Sequence, residues 1–292
     1  MPWELTANLD EYVAAAGEFL VTRRVEHTIE LGVIEGLRAR PAAQPDDLRA
    51  ESPMFGWRRQ AGGDVAEVLL HTPPYPLLLG GLPAGSAPEL AALLAAVGRQ
   101  LPGVNAQEDA ATEFAAAWGE QTGLGYTTFR RSRLYRLAGL VPPAPMPDGG
   151  PRVATEADRD LLEGWFRAFA DEANDLTGPQ LGVLSDRLSY GGLTLWEARG
   201  RPVAMAGHVR PAAGVVRVGP VYTPPALRGR GYGGAVTAAV TSAAIAAGAG
   251  EVVLFTDLAN PTSNALYRRL GYQPVADRVV LSFWSEPRAS GG

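Results

Sequence analysis

Between Val221 and Gly234 the chain reads Val221-Tyr222-Thr223-Pro224-Pro225-Ala226-Leu227-Arg228-Gly229-Arg230-Gly231-Tyr232-Gly233-Gly234, and an alanine-rich stretch follows. Closely spaced glycines let several backbone N–H groups turn toward one point. The start of the following helix adds the positive end of its dipole. Such a loop grips an anion, a pyrophosphate best of all, and Arg228 and Arg230 can add charge-assisted bonds to phosphate oxygens. A second run, Asn260-Pro261-Thr262-Ser263-Asn264-Ala265-Leu266-Tyr267-Arg268-Arg269-Leu270-Gly271-Tyr272, has the pattern of a short capped helix. Pro261 suits the first helical position, which makes Asn260 the cap. Asn260 and Tyr267 are seven residues apart, nearly two turns, so they share a face with Ser263 and Asn264. Leu266 and Leu270 form the opposing apolar stripe, and the Tyr267 hydroxyl is expected to face a ligand.

Composition removes several kinds of chemistry. The 292 residues include no cysteine, which excludes disulfides, thiolate metal sites and a cysteine nucleophile. All 26 basic residues are arginine, which excludes a Walker lysine and a Schiff-base lysine. His27 and His71 have no partners at metal-ligand spacing, and no metal is expected. A net charge of −5 gives no electrostatic reason for nucleic-acid binding and mildly favours a cationic partner. Glu4, Asp10 and Glu11 precede the first arginine, Arg23, opposite to the charge order of a secretory leader. Gly231 to Gly250 runs twenty residues without a charge, but it is mostly Ala, Gly, Ser and Thr, too weakly apolar for membrane insertion. A cytoplasmic chain with no membrane partner is the expectation.

Two readings of the loop compete. Gly229, Gly231 and Gly234 spell G-x-G-x-x-G, with Asp257 further on, as in a dinucleotide fold and a nicotinamide-dependent oxidoreductase. That fingerprint begins directly off a strand, whereas six residues including Pro224-Pro225 follow Tyr222 here. The 35 residues after Asp257 are too few for the rest of a doubly wound domain. The alternative is Arg228-x-x-Gly231-x-Gly233, set between a strand and a helix, and it is preferred.

The elements that must position these residues follow from periodicity and punctuation. Hydrophobic residues at 46% and charged residues at 20% fit a globular chain, and the length fits two domains. The Pro/Gly-rich stretch 141–151 is expected as the linker between residues 1–140 and 152–284, with 285–292 a loose tail. After it come a strand at Arg152–Ala154 and a helix capped by Thr155 running toward Ala173. Gly178-Pro179 restarts a helix that ends near Tyr190-Gly191-Gly192. Strands at Leu193–Ala198, Val203–Arg210 and Gly214–Tyr222 precede the loop, the alanine-rich helix and a strand at Val252–Thr256. The helix Pro261–Leu270 and a last strand at Pro274–Phe283 complete a mixed α/β (α+β) order. The first half predicts helices at Leu9–Arg24, Pro88–Arg99 and Glu108–Gln121, with strands at Val65–Leu70, Pro76–Leu79 and Thr127–Leu137. Its order is a weaker version of the second, which suggests duplication.

Together the two motifs resemble the GNAT superfamily of N-acetyltransferases, whose hallmark is [Gln/Arg]-x-x-Gly-x-[Gly/Ala] between the fourth strand and third helix. The Asn260–Tyr272 run is similar to a second block of that family. The resemblance covers about Arg152–Phe283, and the first half resembles a degenerate repeat, as in tandem members such as the mycothiol synthases. It implies a mostly antiparallel mixed sheet flanked by helices. It also implies acetyl-CoA (coenzyme A) held by Val221, Tyr222, Thr223, Arg228, Gly229, Arg230, Gly231, Tyr232, Gly233, Gly234, Asn260, Ser263, Asn264 and Tyr267. By the same resemblance, Val221 and Thr223 N–H polarise the acetyl carbonyl and Tyr267 is the general acid toward the sulfur. Asn260 orders the helix start and contacts the cofactor. Glu172, at the end of an amphipathic helix carrying Trp165 and Phe169, and His208, on the strand beside the cofactor strand, are the two candidate bases.

The run Leu79-Gly80-Gly81-Leu82-Pro83-Ala84-Gly85-Ser86-Ala87-Pro88-Glu89 in the first half lacks the motif, so that half is expected to bind no coenzyme A. The expected activity is acetyl transfer to an amine-bearing small molecule or protein N-terminus. A non-catalytic acyl-CoA-binding module is the rival. A monomer fits the internal repeat, and a homodimer stays open.

Overall fold

The computed structural model describes residues 1–39, 52–173 and 181–285. They divide into two compact units, residues 1–133 with 276–292, and residues 134–275. In the first, β1 (Trp3–Thr6) leads to α1 (Leu9–Thr22), where the Asn8 side chain accepts from the N–H groups of Asp10 and Glu11, and to α2 (Thr28–Arg38). Strands β2 (Met54–Arg59), β3 (Val65–His71) and β4 (Leu77–Gly80) follow, then α3 (Ala87–Ala96), β5 (Gly103–Ala106) and α4 (Glu108–Thr122). Strand β6 (Gly125–Leu137) carries the chain onward.

The second unit begins its own elements with β7 (Gly150–Val153), a 3-10 turn at Glu156–Asp158, α5 (Arg159–Ala173) and α6 (Leu181–Ser189). Next come β8 (Leu193–Ala198), β9 (Arg201–His208) and β10 (Val215–Tyr222), then α7 (Tyr232–Ala246). Strand β11 (Glu251–Asp257), α8 (Pro261–Arg269) and β12 (Tyr272–Trp284) finish the chain. The expected helix restart at Gly178-Pro179 and the tail beyond Ser285 lie outside the described residues.

Each unit is a mixed, mostly antiparallel sheet flanked by helices. In the first the strand order is β1-β2-β3-β4-β5-β12, with β4 parallel to β5 and Val279–Ser282 of β12 antiparallel to Gly103–Ala106. The second has the order β11-β10-β9-β8-β7, in which β10 and β11 are parallel and joined through α7. That crossover explains the uncharged stretch considered for a membrane. Ala235, Val236, Thr237, Ala238, Val240, Thr241 and Ala244 of α7 are buried, and their small side chains let the helix lie close to the sheet. No helix among the described residues is long and apolar enough to cross a membrane.

The stretch 141–151 lies inside the second unit. Ala138 and Val141 N–H donate to the carbonyls of Gly271 and Leu270, and Trp196 Nε1 donates to the Asp148 carbonyl at 3.0 Å. Pro/Gly density thus marks residues 141–149 as a segment without regular structure that ends where β7 begins at Gly150, whereas its hydrogen bonds decide which core it belongs to. The start of α5 follows the expected cap more closely. Thr155 and Asp158 form a capping box, and Arg152 binds Asp158 at 2.7 Å and Glu197 at 2.6 Å. The Arg152 guanidinium holds the Asp158 carboxyl down to about 2.

One buried polar pair in the first unit has a consequence for pH. Arg99 Nε donates to His71 Nδ1 at 2.7 Å, with His71 fully buried. Burial, and then the neighbouring guanidinium, hold the His71 ring down to about 3. An unfolded histidine takes up its proton below about pH 6.5 while the folded ring refuses it, so stability is full above that pH and falls as pH drops toward about 3. Urea midpoints of the full chain, measured from about pH 7 to about pH 4, should show this decline. In His71→Asn, whose amide oxygen can still accept from Arg99, the decline should be shallower.

Candidate active site

Gly231, at φ 83°, caps α7 without any side-chain hydrogen bond, and no acid stands in the first turn of that helix. This left-handed φ suits glycine. Ala235 N–H donates to the Gly231 carbonyl, which starts the helical ladder. Ahead of it, the N–H groups of Gly229, Arg230, Gly231, Tyr232, Gly233 and Gly234 find no acceptor among the described residues. Helices α1 and α8 are different, because Asn8 and Asn260 cap them with side-chain oxygens. The α7 start therefore combines unsatisfied donors with an uncompensated dipole. Gly234 also lets the helix settle, since a Cβ there would lie 3.1 Å from Leu266 Cδ1.

Strands β10 and β11 pair from Val215↔Glu251 to Val218↔Leu254 and then part company. On the other edge of β10 a register shift between Val218 and Val221 precedes the pairs Val221↔Ala206 and Tyr222↔Met205 with β9. Gly219–Tyr222 thus faces β11 without pairing to it, which opens a slot between the two strands. Thr223, one residue past β10, has an N–H that donates to nothing among the described residues. Pro220, Pro224 and Pro225 have no N–H to offer.

The slot has a different core on each face. Tyr267 packs with Val218, Leu254 and Tyr272, and Val221 and Tyr232 adjoin that cluster. Across the sheet Tyr222 packs with Met205 and Phe166, its ring 6.0 Å from Trp165 of α5. The expectation that Tyr267 stands apart from the apolar stripe of α8 is corrected here. It is 7% exposed and lies edge-on to Tyr272, because α8 presses its tyrosine as well as Leu270 toward the sheet. Burial, with a smaller contribution from Tyr272, pushes its phenol well above the ordinary range.

Asn260 accepts from Ser263 N–H at 3.0 Å, as the helix-start pattern predicts. Asn264 is engaged internally. Its Nδ2 donates to the carbonyls of Asp257 at 2.8 Å and Asn260 at 2.7 Å, while Oδ1 accepts from Tyr135 at 2.9 Å. Asn264 thus orders the β11–α8 turn. Tyr135 went unrecognised, since nothing in a β-strand tyrosine signals a partner so far along the chain.

Glu172 and Arg228 meet. Both Glu172 oxygens lie 2.6–2.7 Å from Arg228 Nη2, and Arg228 Nε donates to the Thr223 carbonyl at 2.9 Å. The pair is exposed and brings the end of α5 to the glycine loop. Arg230 reaches only the Ala226 carbonyl, at 3.4 Å. His208 stands elsewhere, paired in register with Val218. Its Nδ1 is 3.0 Å from the Val209 carbonyl and its ring lies 5.7 Å from that of Tyr190. The structure therefore gathers Thr223, Arg228, Glu172 and the α7 start, sets Tyr267 in the core cluster against which Val221 and Tyr232 pack, and leaves His208 near the bulge.

Residues 153–272 match the model of the acetyltransferase (GNAT) family, so this segment is a GNAT domain, and acyl transfer is that family's chemistry. No curated protein matches the chain. Among solved structures, a Drosophila protein is similar at 14% identity over 97% of this chain and 98% of its own, with a TM-score of 0.68. A GCN5-related N-acetyltransferase from Sphaerobacter thermophilus matches at 19% identity over 96% and 94%, with a TM-score of 0.57. A tandem GNAT protein from the clavulanic acid biosynthesis pathway matches at 15% over 99% and 100%, with a TM-score of 0.55. At such identities the likeness shows the fold, here a tandem GNAT fold.

Whether the free amides at the α7 start bind an anion can be tested alone. Inorganic pyrophosphate should bind the full chain in calorimetry, more weakly as salt rises. Arg228→Ala should weaken that binding by about tenfold, the loss of one charge-assisted contact.

Proposed function

We propose that the GNAT domain is an N-acetyltransferase that moves an acetyl group from acetyl-CoA to an amine by direct attack on the thioester. The observation that carries this reading is the row of free N–H groups from Gly229 to Gly234 at a helix start without a capping side chain. A diphosphate fits that cradle in charge and in hydrogen-bond demand. The slot between β10 and β11 extends from it toward Tyr267, which suits a narrow acylated chain. Acetyl-CoA supplies the activated acyl group. Tyr222, Tyr232, Asn260 and Ser263 line its course, and Asn264 acts through the turn it orders.

The residues then divide the work. Thr223 N–H, with Val221 N–H, polarises the acyl carbonyl, where charge develops during attack. The amine nitrogen forms the new C–N bond, the C–S bond breaks, and the amine loses a proton. Glu172 is the better placed base, since Arg228 links its carboxylate directly to the Thr223 carbonyl. A diphosphate that takes Arg228 would free Glu172 for that proton. His208 lies opposite Val218, five residues before Thr223 along the strand, a rise of roughly 16 Å if extended. Tyr267 gives its proton to the departing thiolate, and its burial keeps that proton in place until then.

The first unit's matching helix start, though it too has no capping side chain, has carboxylates of its own beside it. Gly85 N–H donates to Glu113 at 2.8 Å, and Glu89 stands in the first turn of α3, paired with Arg58. We therefore assign it no coenzyme A site, and acetyl-CoA titration of the full chain should give one site. Glu172→Gln should lower kcat by about 10²–10⁴-fold. In the same variant acetyl-CoA should bind as well or up to about fivefold more tightly, because an exposed ion pair of that size no longer competes for Arg228. Tyr267→Phe should lower kcat with affinity kept, and His208→Gln should leave kcat within about threefold. A protein that binds acetyl-CoA but releases no coenzyme A with any amine would be the non-catalytic module instead.

A further inference from the structure

Arg187 of α6 is 8% exposed, and its Nη1 donates to the Gly219 carbonyl at the β10 bulge. Among the described residues no carboxylate forms an ion pair with it. Asp186, its neighbour in sequence, is committed to Arg210 at 2.8 Å. Arg210 in turn lies over the Tyr190 ring at 4.2 Å, and the Tyr190 hydroxyl donates to the His208 carbonyl at 2.8 Å. The polar groups around Arg187 are thus engaged with one another; Tyr190 and Asp186 offset its burial in part through their charge, but neither makes an ion pair with it. Burial pushes its guanidinium below the usual arginine range despite the attraction of Tyr190 and Asp186, as expected for a cation held away from water.

The position is shaped for that cation. A Cβ at Gly207 would collide with Arg187 Nη1, so the absent side chain makes room for the guanidinium. In front of the bulge, nothing stands within 4 Å of where a Cβ on Gly219 would be. Capping one carbonyl needs one neutral donor, whereas a guanidinium offers five N–H groups in a planar fork suited to a carboxylate. Open space at Gly219 and a buried guanidinium bonded to its carbonyl, with no ion-paired carboxylate among the described residues, occur together at the β10 bulge.

We infer that Arg187 receives a carboxylate of the acceptor, so that the acceptor class is an amine carrying an acid group several bonds away. This rests on the acyl-transfer reading. Gly219 is two residues from Val221 and four from Thr223, a rise of roughly 7–13 Å along the strand. That spacing suits an ω-amino acid, a lysine-like side chain or a short peptide, and it is too long for the α-amine of a free glycine.

The test uses the full chain with saturating acetyl-CoA and matched amines, 6-aminohexanoate against hexylamine and lysine against cadaverine. Released coenzyme A should show the acid-bearing member favoured by about 10–100-fold in kcat/KM, the range of a hydrogen bond to a charged group. Arg187→Met should erase that difference through KM, and Arg187→Lys should restore part of it. Equal rates within each pair, or a preference that survives Arg187→Met, would overturn the inference. If no amine turns over, hexanoate should still raise the melting point of the parent and not of Arg187→Met, and the lack of that rise also overturns it. Failure of acetyl-CoA to bind in calorimetry, with the hexanoate shift intact, would sink the acyl-transfer reading and leave the carboxylate site standing.

Discussion

A helix start must satisfy its first N–H groups with something, and α7 does so with nothing of its own. The rest of the second unit is arranged around that unmet demand. Gly231 takes the left-handed conformation that begins the helix without a side chain over the amides. The small buried residues of α7 hold the helix against the sheet, so the amides stay aimed outward from a fixed base. The parting of β10 from β11 after Val218 then gives a bound chain a direct course away from the helix end. Anion grip and acyl slot are consequences of one crossover between two parallel strands.

The exposed pair of Glu172 and Arg228 fits the same logic. A surface ion pair holds its partners weakly, within about 1 kcal/mol, so a diphosphate with several charges displaces the carboxylate without difficulty. A carboxylate lodged there in the free chain shields the arginine and marks the place where negative charge is wanted. On the proposed function, displacement would tie donor binding to the availability of a base and would favour acetyl-CoA entering before the amine.

Much of this was legible from residue types alone, because the chemistry is local. The glycine loop, the Asn260 cap and the Thr155 helix start each depend on residues within one turn of each other, and each has its expected geometry. Contacts that depend on distant partners were not legible. Tyr135 and Asn264 bond across a long stretch of chain, and Tyr267 is buried because of how α8 tilts onto the sheet, which spacing alone does not fix. The four-residue strands β1 and β5, with β2 and α2, were also missed. β5 is only Gly103-Val104-Asn105-Ala106, too short for alternation to register, and β2 carries a glycine and two arginines.

The two units also differ in how they treat buried charge, and the difference runs parallel to their helix starts. In the first, Arg278 reaches Glu30 at 3.5 Å and Asn105 at 3.0 Å, and the α3 start is served by Glu89 and Glu113. The carboxylates beside that start are the unit's own. In the second, the α7 start has neither a capping side chain nor an acid in its first turn, and Arg187 has no ion-paired carboxylate among the described residues. On the proposed function, a carboxylate built into the α7 start would compete with the diphosphate there, so that start stays without an acid of its own while the α3 start carries one.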